Sequence, residues 1–171
     1  MDSRTIVLRE ATAADVRRLA ELHVRTFNET HGPGPIIALR QQQWESAFSA
    51  FDGSWFCVVL ENEAGDLIGF ARGQPYNHAE LGEFKGELNK IYLLRAYHRR
   101  GLGRLLLCAS ARRFLERGIR SMLLFGDARN PSNGFYEAMR GEKLFALNGE
   151  FHGAYGWRDL DLLVRGCDRA S

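Results

Sequence analysis

Apolar residues recur along this chain at two spacings, and the switches between them divide it into strands and helices. Ile6-Val7-Leu8 reads as a short first strand. Val16, Leu19, Ala20, Leu22 and Phe27 then recur at helical spacing, with Arg17, Arg18, Glu21 and Arg25 on a wet side. That pattern predicts a helix capped by Thr12, with Asp15 in its first turn, running to about Asn28. His31-Gly32-Pro33-Gly34-Pro35 breaks it. A second helix is predicted from Ile37 to Phe51, ended by Phe51-Asp52-Gly53.

The spacing then changes to that of strands. Phe56 to Leu60 and Leu67 to Ala71 flank a turn built on Gly65, which predicts an antiparallel hairpin as strands two and three. Gln74 to Gly86 is polar and reads as a loop leading into strand four, which starts at Glu87. A helix from Gly101 to Arg117 is closed by Gly118, and Met122 to Phe125 forms strand five. Asn130 to Arg140 reads as a short helix. Lys143 to Leu147 and Ala154 to Leu160 make a final hairpin around Gly149 to Gly153. This mixed order indicates an α/β or α+β layered fold in one domain, residues 1–171.

Chemistry concentrates between strand four and the helix after it, in Tyr97-His98-Arg99-Arg100-Gly101-Leu102-Gly103-Arg104. Two glycines one residue apart let the backbone approach an anion, and the first turn of the next helix offers N–H groups to it. Arginines add positive charge. The segment lacks the third glycine of a dinucleotide fingerprint, and no Gly-Lys-Ser/Thr follows for a P-loop.

The loop resembles the acyl-CoA pyrophosphate loop of the GCN5-related N-acetyltransferase (GNAT) family, Gln/Arg-x-x-Gly-x-Gly/Ala, with His98 where that family has Gln or Arg. Glu87 to Leu93 is similar to the family's fourth strand, and Asn130-Pro131-Ser132-Asn133-Gly134-Phe135-Tyr136-Glu137 to its Asn-x-x-Ala-x-x-Phe-Tyr-Glu helix. The resemblance implies a mixed, mostly antiparallel sheet, splayed between strands four and five and flanked by helices. It also implies acetyl-CoA as co-substrate. Arg99, Arg100, Gly101, Leu102, Gly103, Arg104 and Asn130 would lie at the cofactor, with the backbone of Ile91, Tyr92 and Leu93 along its pantetheine arm.

Acetyl transfer to an amine needs the thioester carbonyl held beside a neutral nucleophile, and proton routes for nucleophile and leaving thiol. By the resemblance Tyr136 is the general acid and Glu87 the base, with Glu80, Glu83, His78 and Asp127 as competitors. No metal is expected. In relatives the acceptor lies near the first two helices and the last hairpin, which here makes Glu29, His31, Glu150 and Tyr155 candidates for a small cationic amine such as a polyamine or an aminoglycoside antibiotic. An amino acid derivative, a peptide or protein N-terminus or lysine, or a catalytically silent CoA-binding module, are the alternatives. Family members often dimerise, so a homodimer is allowed.

Charge and cysteine content narrow the setting. The 23 basic and 21 acidic residues are interspersed and leave a net charge of +2, too little for a nucleic-acid surface. No run is long enough to span a membrane, and the first residues lack the apolar core of a signal peptide. Cys57, Cys108 and Cys167 show no metal spacing. They are expected to be reduced packing residues in a cytoplasmic protein.

Overall fold

The structure is a computed structural model that describes residues 5–169. Its chain falls into two compact units: one runs up to Arg72 and includes Lys90–Leu106; the other comprises Gly73–Asn89 and the chain from Leu107 onward. One mixed seven-stranded sheet has the order β1-β2-β3-β4-β5-β7-β6.

In the first unit β1 (Val7–Glu10) pairs antiparallel with β2 (Phe56–Glu61). The turn to β3 (Leu67–Pro75) is tied by Asn62, whose Oδ1 accepts the N–H groups of Ala64 and Asp66, while Gly65 takes φ +83°. Every residue of Phe56–Leu60 is buried, as a strand covered on both faces requires. The first predicted helix begins with a single 3₁₀ turn, Ala13–Asp15, and becomes α1 (Val16–His31). Asp15 sets that start, because its Oδ2 accepts the Thr12 N–H at 2.8 Å while its carboxylate also binds Arg9 and Arg18. The amphipathic stripe buries Leu19, Ala20 and Leu22 but also His23 and Thr26. Thr26 resolves its hydroxyl by donating to the Leu22 carbonyl. α2 (Ile37–Ser49) buries one side chain, Trp44.

In the second unit the start of β4 (Gly86–Leu93) runs parallel to β5 (Met122–Leu124), in the register Gly86↔Met122 and Glu87↔Leu123. The pairing stops at Glu87. β5 continues antiparallel to β7 (Phe151–Trp157), which pairs with β6 (Glu142–Phe145). Gly86 has a packing reason to be glycine: a Cβ there would lie 2.7 Å from the Phe114 ring of α3 (Leu102–Glu116). α4 is the short helix Asn133–Ala138.

Two expectations are corrected here. The final strand ends at Trp157, and Leu160–Arg169 is a helix, α5. Leu160, Leu163, Val164 and Cys167 have its i, i+3, i+4, i+7 spacing, a signal that begins where the predicted hairpin ends, at Leu160. The cysteines are also not all reduced. Cys108 on α3 and Cys167 on α5 form a disulfide, with Cα atoms 6.2 Å apart, and Cys57 alone remains a free, buried thiol. Sequence spacing was silent because the bridge joins residues 59 apart that only helix packing brings together.

Candidate functional site

The glycine loop belongs to the first unit and is held at three points. Arg95 donates its backbone N–H to Glu29 Oε2 at 3.1 Å and its guanidinium to the Glu29 carbonyl. Asn62 Nδ2 donates to the Tyr97 hydroxyl at 3.3 Å. His98 Nε2 lies 2.9 Å from the Leu93 carbonyl, which can only accept, so that nitrogen carries the proton. His98 thus hooks the loop back to the end of β4.

After these anchors the backbone turns left-handed twice, at Arg99 (φ +63°) and Gly101 (φ +76°). Nothing lies within 4 Å of where a Gly101 Cβ would stand, so its need for glycine is conformational. Alternating left-handed residues aim successive N–H groups to one side, the concavity that binds anions. α3 starts at Leu102, and the Leu105 N–H closes its first backbone bond, to the Gly101 carbonyl at 3.1 Å. The N–H groups of Leu102, Gly103 and Arg104 precede that ladder, at the positive end of the helix. Arg99 and Arg100 are exposed, and among the described residues neither has a carboxylate partner. These residues suit a diphosphate. Ile91, Tyr92 and Leu93 close β4, half-buried and beyond its register with β5.

Glu87 and Tyr136 lie in the second unit. Glu87 is half-buried at the last residue of the β4–β5 register, and Gln74 Nε2 donates to its Oε1 at 3.3 Å. Of the competing residues, Glu83 lies 3.6 Å from Arg158, Asp127 Oδ1 accepts the Arg129 N–H, and the His78 ring packs at a tilt against Tyr76. Glu80 holds Tyr76 through its carbonyl, which accepts the phenol at 2.7 Å. Burial first, then the negative charges of Glu80, Glu87 and Glu83, raise the pKa of Tyr76. The carboxylates of this segment therefore share one electrostatic neighbourhood.

Tyr136 is the buried member of the Phe135-Tyr136 pair at 5% exposure, with ring centroids 5.5 Å from Tyr155 and 6.4 Å from Trp157. Trp157 is itself fixed by donating to the Met139 carbonyl at 2.9 Å. Asn130 acts as a turn former: its Oδ1 accepts the Ser132 N–H at 2.8 Å, just ahead of α4.

The expected acceptor residues fall two to each unit. In the first, Glu29 is tied to Arg95, and exposed His31 stacks on Phe27 with centroids 4.7 Å apart. In the second, Glu150 is exposed beside His152, while Tyr155 is fully buried against Phe151. Sequence reading passed over three residues in the first unit, His23, Arg40 and Arg72. The signal was present: Arg72 interrupts the apolar run of β3, and His23 sits on the buried stripe of α1.

Among the described residues no group of three or more His, Cys, Asp or Glu is placed to hold a metal ion. No helix among them is long and apolar enough to cross a membrane.

A family model described as the acetyltransferase (GNAT) family matches residues 16–141, a span that runs through both units. The Bacillus subtilis (strain 168) protein YuaI, described as an uncharacterized N-acetyltransferase, is 32% identical over 171 residues, covering 92% of this chain and 96% of its own. Among solved structures, a GNAT-family protein from Desulfovibrio desulfuricans superposes with a TM-score of 0.70 at 17% identity, covering 91% of this chain and 99% of its own. Salmonella typhimurium yncA, solved with its cofactor acetyl-CoA, gives a TM-score of 0.67 at 16% identity, covering 91% and 94%. These likenesses to solved structures establish the fold.

Proposed function

The chain belongs to the acetyltransferase (GNAT) family and is an N-acetyltransferase of that type, and we propose that it moves an acetyl group from acetyl-CoA to a primary amine of a small molecule. The observation that carries the cofactor is the pinned loop. Left-handed turns at Arg99 and Gly101 deliver the start of α3, with two arginines that no carboxylate among the described residues neutralises. That fits a diphosphate better than any uncharged group. The Salmonella typhimurium relative with its acetyl-CoA supports the same cofactor.

Acetyl-CoA, when bound, supplies an already activated acetyl thioester. What remains for the protein is orientation and proton movement. The loop from Arg99 to Arg104 holds the diphosphate, and the main chain of Ile91 to Leu93 offers peptide groups to the pantetheine amides. An alkylamine, with a pKa of about 10, is mostly protonated near neutral pH. Glu87 takes its proton, directly or through water, so that the nitrogen lone pair attacks the thioester carbonyl. As the carbon–sulfur bond breaks, Tyr136 gives its phenolic proton to the sulfur, and the second proton lost by the attacking nitrogen restores the phenol. Asn130 keeps the turn before α4, and hence Tyr136, in place.

Polyamines and aminoglycosides were expected to bind through carboxylates. Glu29 Oε2 accepts the Arg95 N–H while its Oε1 is buried without a partner among the described residues, and Glu150 is exposed, so both carboxylates support that acceptor class. The test is thiol release from acetyl-CoA across a panel of polyamines, aminoglycosides, amino acids and peptides with free N-termini, with the acetylated product identified by mass. Gly103→Val should abolish both the thermal shift given by acetyl-CoA and the thiol release in a folded protein. A wild-type protein that binds CoA yet releases no thiol with any amine would be the silent CoA-binding module instead.

A further inference from the structure

One face of the sheet in the first unit gathers positive charge among aromatic rings. Phe70 and Arg72 alternate on β3, Lys90 and Tyr92 alternate on β4, and the rings of Phe70 and Tyr92 lie 5.6 Å apart, which puts both pairs on a common face. The His23 ring packs against the same group, 5.3 Å from Phe70 and 5.8 Å from Tyr92. The Arg72 guanidinium stacks 4.4 Å from the Trp55 ring and 5.6 Å from Trp44. Arg40 of α2 lies 5.2 Å over Phe27 and donates one Nη1 bond, to Gln43.

What this group lacks is an acceptor. The Nε atoms of Arg40 and Arg72 are both buried without a hydrogen-bond partner, and neither arginine forms an ion pair among the described residues. A ring stack satisfies the face of a guanidinium but not its rim of five N–H donors. Burial lowers the pKa of both arginines, so each carries a desolvation cost that no carboxylate offsets. His23 adds a third donor: Trp44 Nε1 donates to its Nδ1 at 3.2 Å, which places the proton of the neutral ring on Nε2.

We propose that Arg72, Arg40 and the Nε2–H of His23 bind an anionic group of the acceptor, so that the substrate is a small amine that also bears a carboxylate or a similar oxyanion. Trp44, Trp55 and Phe27 form the apolar walls that strengthen those contacts by excluding water. A polycation is disfavoured at the same place, since it would meet Arg40, Arg72 and Lys90 with like charge. Tyr92 links this subsite to the proposed reaction. Its ring packs against His23 and Phe70 at this subsite, and its main chain lies in the segment proposed to hold the pantetheine arm.

This inference rests on the acetyl-transfer reading but is tested apart from it, by binding. Amino acids as free acids and as their α-amides form matched probes that differ in the anionic group alone. Each is titrated into the full chain, with and without CoA, following tryptophan fluorescence because Trp44 and Trp55 flank Arg72. At least one acid should bind about tenfold or more tighter than its amide. Arg72→Gln should remove that difference, and Arg72→Lys should restore part of it. Arg40→Gln, away from the tryptophan stack, should weaken acid binding in the same direction if Arg72→Gln proves poorly folded. Equal binding of every acid and amide, or an acid preference untouched in both arginine variants, overturns the anion subsite. So does a preference that saturating CoA abolishes, since the pocket would then serve the cofactor's own phosphates. Thiol release with the same probes reports on acetyl transfer separately.

Discussion

The indole N–H of Trp44 donates to Nδ1 of His23 across 3.2 Å, so a tryptophan on α2 fixes the tautomer of a histidine on α1 that is 2% exposed. The ring is thereby neutral and committed. Burial, followed by the positive charges of Arg40, Lys90 and Arg72, pushes its pKa down from 6.5 to about 3. Desolvation and like charge act in the same direction on an imidazolium, and no acidic group opposes them.

Acid should therefore destabilise the protein through His23 well before carboxylates titrate. The unfolded chain takes up this proton below its ordinary pKa of about 6.5, whereas the folded chain resists it until about 3. Stability is fully present above the unfolded value and falls as pH drops through that window, by no more than ~1.4 kcal/mol per pH unit from this group. Urea midpoints measured across the window should decline more steeply in the wild type than in His23→Gln. Parallel declines would show that His23 is protonated in the folded state too.

Asp15 should be the most costly carboxylate to remove in the first unit. Its side chain is 3% exposed, accepts two bonds from Arg9 at 2.8 Å, one from Arg18 at 2.7 Å and the Thr12 N–H. The Arg9 bonds chiefly hold its carboxyl well below the usual range, against the opposing effect of burial. Asp15→Asn should lower the unfolding free energy by about 3 kcal/mol, as breaking a buried pair does. A loss smaller than about 1 kcal/mol by urea denaturation would mean that Glu61, 2.8 Å from Arg9, suffices for that arginine.

Gly101→Ala should separate the loop's shape from the fold. A Cβ meets no atom there, but φ is +76°, so the substitution should cost about 1 kcal/mol or shift the loop. Affinity for acetyl-CoA by calorimetry should fall while the thermal midpoint changes little. Unaltered affinity would place the cofactor elsewhere.

Tyr136→Phe should lower kcat by on the order of 10²-fold or less, with little change in acetyl-CoA affinity, the expected scale for a general acid. Glu87→Gln should depress activity most at low pH, where the amine is hardest to deprotonate. If both variants keep wild-type pH–rate profiles, neither residue moves a proton in the reaction.

The bond between Cys108 and Cys167 should be visible by thiol titration. Denatured protein prepared without reductant should expose one reactive thiol per chain, Cys57, and three after reduction. Closing a loop of 59 residues stabilises by about 4 kcal/mol at most, so Cys167→Ser should lower the thermal midpoint by several degrees. Three reactive thiols before reduction would instead favour a reducing setting and two cysteines that merely face each other.

What the sequence determined by itself follows from short-range physics. The continuous apolar run Phe56 to Leu60, helical spacing from Val16 to Phe27, the Gly65 turn and the Gly101-Leu102-Gly103 helix entry are local patterns, and the elements form where those patterns lie. The family resemblance was legible for the same reason, since its motifs are contiguous segments. Tertiary structure decided everything that depends on which distant side chains meet. Glu29 and Arg95, 66 residues apart, meet so that a candidate acceptor carboxylate also anchors the loop. Cys108 and Cys167 met because α5, which follows the predicted final hairpin, packs on α3. Arg72 and Arg40 gained meaning because the burial of each Nε without an acceptor can be seen in three dimensions and in no linear pattern. Charge in a sequence is only composition; how costly it is, and what would satisfy it, depends on the water that folding removes.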